Sequence, residues 1–118
     1  MPDDAPRRRL RAICLGLPEA VEQEAWGDPT WRVRGRIFTM EKRGDGRVSA
    51  WMKAPPGAQE VLVAADPERF FVPPYVGPRG WIGLRLEDAD WDLVVAHVAT
   101  SYRLIAPKRL AALVSTER

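Results

Sequence analysis

Residues 70–83, Phe70-Phe71-Val72-Pro73-Pro74-Tyr75-Val76-Gly77-Pro78-Arg79-Gly80-Trp81-Ile82-Gly83, gather four large rings with three prolines and three glycines. Proline fixes φ and removes a donor, while glycine permits positive φ and close backbone approach. A solvated linker has no use for so many rings, so the segment is expected to fold tightly against the body of the domain, either to present a partner site or, alternatively, as a structural Ω-loop packed by its own side chains. It presents Arg79 between Pro78 and Gly80. Aromatic and Arg side chains are the usual anchors of interfaces. Tyr75, Arg79 and Trp81, with Trp31, are therefore candidates to line a protein- or small-ligand-binding site. A second set is basic: Arg34, Arg36, Lys42, Arg43 and Arg47 cluster at or near two expected hairpin turns. Lys53 and Arg79 flank them, and Lys108 and Arg109 extend the footprint. Basic hairpin tips suit phosphate contacts, which position a protein on DNA.

Catalytic and metal-binding patterns are weak by comparison. His97 is the only histidine, so no cluster of histidine ligands can form. It falls off the main apolar stripe of its helix and reads as a partly exposed structural residue. Glu22 and Glu24 share a strand face, the spacing of an acid/base pair, but a solvated strand face explains them. Gly44-Asp45-Gly46 is too short for a calcium loop, and no phosphate- or dinucleotide-binding glycine pattern occurs. Pro73-Pro74-Tyr75 lacks the spacer of a proline–tyrosine ligand motif. We therefore expect no enzyme and no cofactor.

The elements that position these residues follow from periodicity. Leu10, Ile13, Cys14 and Leu17 mark a helix over Arg7–Leu17. Val21–Trp26 is a short alternating run broken at Gly27-Asp28-Pro29. Thr30–Val33 and Arg36–Lys42 read as strands joined at Arg34-Gly35, where glycine supplies positive φ. Gly44-Asp45-Gly46 turns the chain into a strand over Arg47–Lys53, with Val48, Ala50 and Met52 on one face and Trp51 exposed on the other as a stacking surface. A helix runs from Pro55 to Ala65 with Val61, Leu62 and Ala65 inward, and a weak extended piece follows near Phe71-Val72. Trp81–Leu86 is a strand with Ile82, Leu84 and Leu86 inward. Ala89–Ile105 is a helix on the spacing of Trp91, Val94, Val95, Val98, Tyr102 and Ile105. Asp88, Asp90 and Asp92 sit at its N-terminal end, where the dipole favours acids. Lys108–Val114 forms a last short helix. The order is α-β-β-β-α-β-β-α-α, suited to one antiparallel sheet with helices on a face.

At 118 residues the chain is read as a single domain, 1–118, with its own core. Eighteen basic and sixteen acidic residues leave a formal charge of +2, too little to drive nucleic-acid binding by bulk attraction. Fifteen of the basic residues are Arg, the side chain suited to bidentate phosphate or carboxylate contacts. One cysteine excludes an internal disulfide, and Cys14 reads as a small buried hydrophobe. Without an apolar signal or membrane-length run, a cytoplasmic location and no membrane partner are expected.

Several segments together resemble the MmcQ/YjbR family: Trp26-Gly27-Asp28-Pro29-Thr30-Trp31-Arg32-Val33-Arg34-Gly35-Arg36-Ile37-Phe38, then Phe71–Trp81, Asp90-Trp91, and Ser101-Tyr102-Arg103-Leu104-Ile105-Ala106-Pro107-Lys108-Arg109-Leu110. The resemblance spans roughly residues 8–112. It implies an α+β fold, a two-layer α/β sandwich of antiparallel sheet and helices in the order α-β(3)-α-β(2)-α, similar to CyaY-like domains. Members are commonly described as DNA-binding because sheet and hairpins look like a double wing, which implies double-stranded DNA as partner. The resemblance carries over no catalytic residue. Glu22, Glu24 and Glu41 lie close to the basic strands, so hairpin contacts require basic tips that stand clear of these acids.

Overall fold

Trp26-Gly27 (φ 55° and 82°) and Arg34-Gly35 (φ 52° and 81°) are both two-residue turns with positive φ throughout. Such turns match the twist of paired antiparallel strands. They fold residues 21–42 into three strands: β1 (Val21–Ala25), β2 (Asp28–Val33) and β3 (Arg36–Lys42). The computed structural model describes residues 4–43 and 46–115. Within these, β4 (Ser49–Lys53), β5 (Phe70–Phe71) and β6 (Trp81–Arg85) complete one antiparallel sheet in the order β1-β2-β3-β4-β6-β5. The helices are α1 (Ala5–Leu15), α2 (Ala58–Ala65), α3 (Trp91–Ile105) and α4 (Lys108–Ala111).

The architecture is the expected α+β layer of antiparallel sheet and helices, with one strand more before α2. Residues 21–25 pair along their whole length with Asp28–Arg32, because the turn falls at Trp26-Gly27, earlier than the proline signal suggests. Gly44 and Asp45 of the next turn lie outside the described residues. There the Gly46 N–H donates to the Arg43 carbonyl at 3.0 Å. α3 starts at Trp91 because the Asp90 carboxylate caps it, accepting from the N–H groups of Asp92 and Leu93. In α2 the inward residues are Ala58, Leu62 and Val63, while Val61 is exposed. Val95 of α3 is likewise exposed.

A bulge in β3 decides which side chains face the helices. Trp31 pairs with Thr39, but Arg32 pairs with Ile37, so Phe38 is an extra residue on β3. The extra residue breaks the alternation. Phe38 turns under α3 and meets Tyr102 edge-on, with ring centroids 5.3 Å apart. Met40 and Ile37 stay on the opposite, helix-free face. The core between sheet and helices takes Leu10, Cys14, Trp31, Val33, Phe38, Ala50, Met52, Ile82, Leu84, Val94, Val98 and Tyr102, all fully buried. α3 packs on β3, β4, α1 and α4, and α1 packs on β2.

Ser101 fastens this arrangement. Its fully buried hydroxyl donates to the Phe38 carbonyl at 2.6 Å and accepts from the Lys53 N–H at 2.9 Å. One side chain thus satisfies the carbonyl of the bulged residue and the Lys53 N–H, both one step beyond the Thr39–Met52 end of the β3–β4 ladder. Ser101→Ala strands a buried donor and acceptor. We expect a loss of about 1–3 kcal/mol in urea unfolding, with no loss if the ladder closes over the gap.

Candidate functional site

The helix-free face of the sheet is a groove. β2, β3, β4 and β6 form its floor through Arg32, Ile37, Met40, Trp51, Lys53 and Trp81. Trp26 rises from the β1–β2 turn on one bank, and Tyr75, Val76 and Arg79 rise from the aromatic loop on the other. One end, of about 410 Å³, is cationic, lined by Arg32, Arg36, Lys53 and Arg79 with Trp26, Met40, Val76 and Trp81. The adjoining part, of about 460 Å³, is lined by Trp26, Met40, Lys42, Trp51, Tyr75 and Val76. Trp26, Met40 and Val76 line both, so the two parts are continuous. Beyond them the groove runs on past Asp28, Ser49, Phe71 and Pro74.

Local structure explains the banks. Trp26 (φ 55°) and Tyr75 (φ 68°) hold left-handed backbone conformations, which cost a bulky residue strain. They are also 75% and 92% exposed. The aromatic loop is pinned by Gln59 of α2, whose amide donates to the carbonyls of Gly77 (2.9 Å) and Trp81 (2.7 Å). Gly77-Pro78-Arg79 coils into a 3₁₀ turn that sets Arg79 at the groove. The outer edge of the Phe71 ring packs against Gly83, where a Cβ would collide with it. On the floor, the Lys42 ammonium sits 5.1 Å from the Trp26 ring and 5.7 Å from the Trp51 ring.

Charge divides the sequence candidates into two groups. Arg34 pairs with Glu19 at 2.7 Å, and Arg47 with Glu87 at 2.7 Å. Arg43 pairs with Glu41 at 2.8 Å and Asp4 at 3.2 Å, and Lys42 with Asp28 at 3.7 Å. These four hairpin cations do not stand clear of acids as the hairpin expectation required. Arg47 also borders a cleft containing Asp66, Glu68, Glu87 and Asp88. Arg36, Lys53 and Arg79 have no acidic partner within 4 Å among the described residues, and they converge on the groove with Arg32, which donates to the Thr30 hydroxyl at 3.1 Å. Lys108 and Arg109 are exposed on α4 and do not line the groove, although Ile105, three residues before Lys108, does.

Trp31 does not line a concave site. It is fully buried on the helix side, and its indole N–H donates to the Glu22 carboxylate at 2.9 Å. Trp51, expected to be exposed, is half-buried on the groove floor. Trp81 is largely buried yet lines the cationic end. Glu22 is held below the usual carboxylate range chiefly by its hydrogen bond from Arg11. His97 packs edge-on to Phe70 across the sheet from the groove, and burial lowers its pKa. Burial pushes the Cys14 thiol up, as befits an inert core residue.

The fold and groove define a class: a small α+β domain whose sheet leaves one face open, ringed by a cationic patch and exposed aromatics. The family model for YjbR matches residues 15–104, and the chain belongs to the YjbR family. Protein DR2400 of Deinococcus radiodurans, a crystal structure containing the domain DUF419, has a similar fold, with a TM-score of 0.75 at 18% identity over 87% of this chain and 82% of that one. No curated protein matches the sequence. Among the described residues no helix is long and apolar enough to cross a membrane.

Glu41 shows how firmly the hairpin cations are held. The side chain is fully buried; burial pushes its carboxyl up, but hydrogen bonds from Arg7 (2.7 Å) and Arg43 (2.8 Å) outweigh that and hold it below its ordinary value. A carboxyl depressed in the folded state stabilises above its unfolded pKa, and this stability is lost as pH falls through the folded pKa. Glu41→Gln is therefore expected to cost about 2–3 kcal/mol at neutral pH. The gap between wild type and variant should close as pH falls below about 4, the unfolded glutamate range. Urea unfolding at several pH values checks this, and a gap that does not vary with pH contradicts it.

Proposed function

We propose that this protein is a non-catalytic nucleic-acid-binding domain that holds phosphates on the open face of its sheet rather than at its hairpin tips. The observation that carries the reading is the convergence of Arg32, Arg36, Lys53 and Arg79 on one concave patch. Cations already paired with acids must break those pairs before they can serve phosphate. Cations left without an acidic partner need no such exchange, and Arg adds bidentate geometry. The patch also suits the modest formal charge of +2, because the useful charge is local. Lys108 and Arg109, exposed on α4, could extend the footprint for a longer ligand.

Binding without catalysis is favoured by what faces the groove. Asp28 is its one carboxylate among the described residues and is engaged by Lys42. His97 lies on the other side of the sheet. General acid–base chemistry needs a proton-transfer group within hydrogen-bond reach of the reacting atom, and the described groove residues bring no acid–base pair together. A cytoplasmic location, where nucleic acid is within reach, goes with this reading.

A salt titration of DNA affinity tests it. With four phosphate contacts the log–log slope should be about −3 to −4, and Arg36→Ala, Lys53→Ala or Arg79→Ala should each flatten it by about one. Arg47→Ala should leave slope and affinity nearly unchanged. Equal losses from Arg47→Ala and Arg36→Ala return the contacts to the hairpin tips. No affinity for any DNA at low salt removes the proposal.

A further inference from the structure

Resting on that reading, we infer that the occupant of the groove is a single strand of nucleic acid, its bases stacked on Trp26, Trp51 and Tyr75 while its phosphates follow the cationic end. Phosphate binding alone requires no aromatic rings. Here three stand beside the cations, in a groove continuous with them through Trp26, Met40 and Val76. Two are among the most exposed large hydrophobic side chains, at 75% for Trp26 and 92% for Tyr75, and both sit on left-handed backbone. A domain that buries Trp31, Phe38 and Tyr102 completely leaves such rings in water on opposite banks of one groove. An occupant with flat apolar faces and regularly spaced negative charge complements that arrangement.

A duplex does not meet this description. Its base faces are stacked on one another, and its grooves offer only base edges. A single strand exposes both a π-face at every base and a phosphate at every step, the combination that aromatic platforms in positive grooves hold without sequence preference. Lys42 lies between the Trp26 and Trp51 rings. It keeps Asp28 occupied at 3.7 Å, so the one carboxylate among the described groove residues is screened from a passing backbone. An acidic peptide would satisfy the cations but would supply flat faces only where aromatic residues happened to fall.

The experiment compares a mixed-sequence DNA oligonucleotide of about twelve nucleotides, within the span of such platforms, with its blunt duplex and with a mononucleotide. Tryptophan fluorescence and anisotropy are followed at fixed salt. The single strand is expected to bind at least ten-fold more tightly than either competitor and to quench fluorescence. Tyr75→Ala and Trp26→Ala, at exposed positions where folding is safe, should each weaken it about five-fold or more, as should Trp51→Ala. Duplex binding as tight as single-strand binding and indifferent to these substitutions overturns the stacked strand while leaving phosphate binding at Arg36, Lys53 and Arg79 intact. A mononucleotide that binds as tightly as the strand also overturns it. If no nucleic acid binds, both readings fall together.

Discussion

Phe38, the extra residue in β3, lies between two demands on the same strand. Its ring must enter the core against Tyr102, while its neighbours Ile37 and Met40 must stay on the far face. In a regular strand, Phe38 and Met40 would share a face. The bulge removes that conflict, and Ser101 of α3 ties the bulged strand down by bonding the Phe38 carbonyl and the Lys53 N–H beyond the end of the β3–β4 ladder. The consequences reach across the sheet. Arg32 comes opposite Ile37, Met40 opposite Trp51, and Lys53 opposite Trp81. A groove with a cationic end and an aromatic stretch is the far side of a core-packing solution.

Ion pairing then sorts the remaining charge. The helix side and the turns are crossed by long-range pairs, from α1 to β3 through Arg7–Glu41, from α1 to β1 through Arg11–Glu22, and from the β3–β4 connection to the end of β6 through Arg47–Glu87. The two exposed pairs, Arg11–Glu22 and Arg47–Glu87, contribute little stability individually, unlike Arg7–Glu41 with its buried carboxylate. Their larger effect here is on the electrostatic surface: they cancel cations at the hairpins and leave those at the groove uncancelled. A chain of nearly balanced charge thereby acquires one locally positive concave patch.

Part of this was legible in the sequence. Arg36–Lys42 and the long helix follow directly from alternation and helical spacing, and the aromatic loop declared itself by composition. Tyr75, Arg79, Arg36 and Lys53 could be marked for their chemistry. Trp31 could not be separated from the surface rings, because its burial depends on the Glu22 carboxylate meeting its indole across a hairpin. The bulge was hidden because Ile37-Phe38-Thr39-Met40 reads as an unbroken run. Arg47 and Glu87 are forty residues apart and Arg7 and Glu41 thirty-four, separations over which local pattern carries no pairing information. Trp26 read as the end of a strand, whereas its place at the first turn position makes it a bank of the groove. Gln59, the residue that holds the loop, sits in an ordinary amphipathic helix and carries no signal of its role.

Entry of ligand at the open face is tested most directly by residue-resolved chemical-shift mapping during a titration with single-stranded DNA. The four clearest reporters are indole N–H groups: Trp26 and Trp51 in the groove, Trp31 in the core and Trp91 on α3. Trp26 and Trp51 are expected to move together with the backbone amides of Ile37, Lys53 and Arg79, while Trp31 and Trp91 stay in place. Shifts concentrated at Arg34 and Arg47, with Trp51 unmoved, would contradict it.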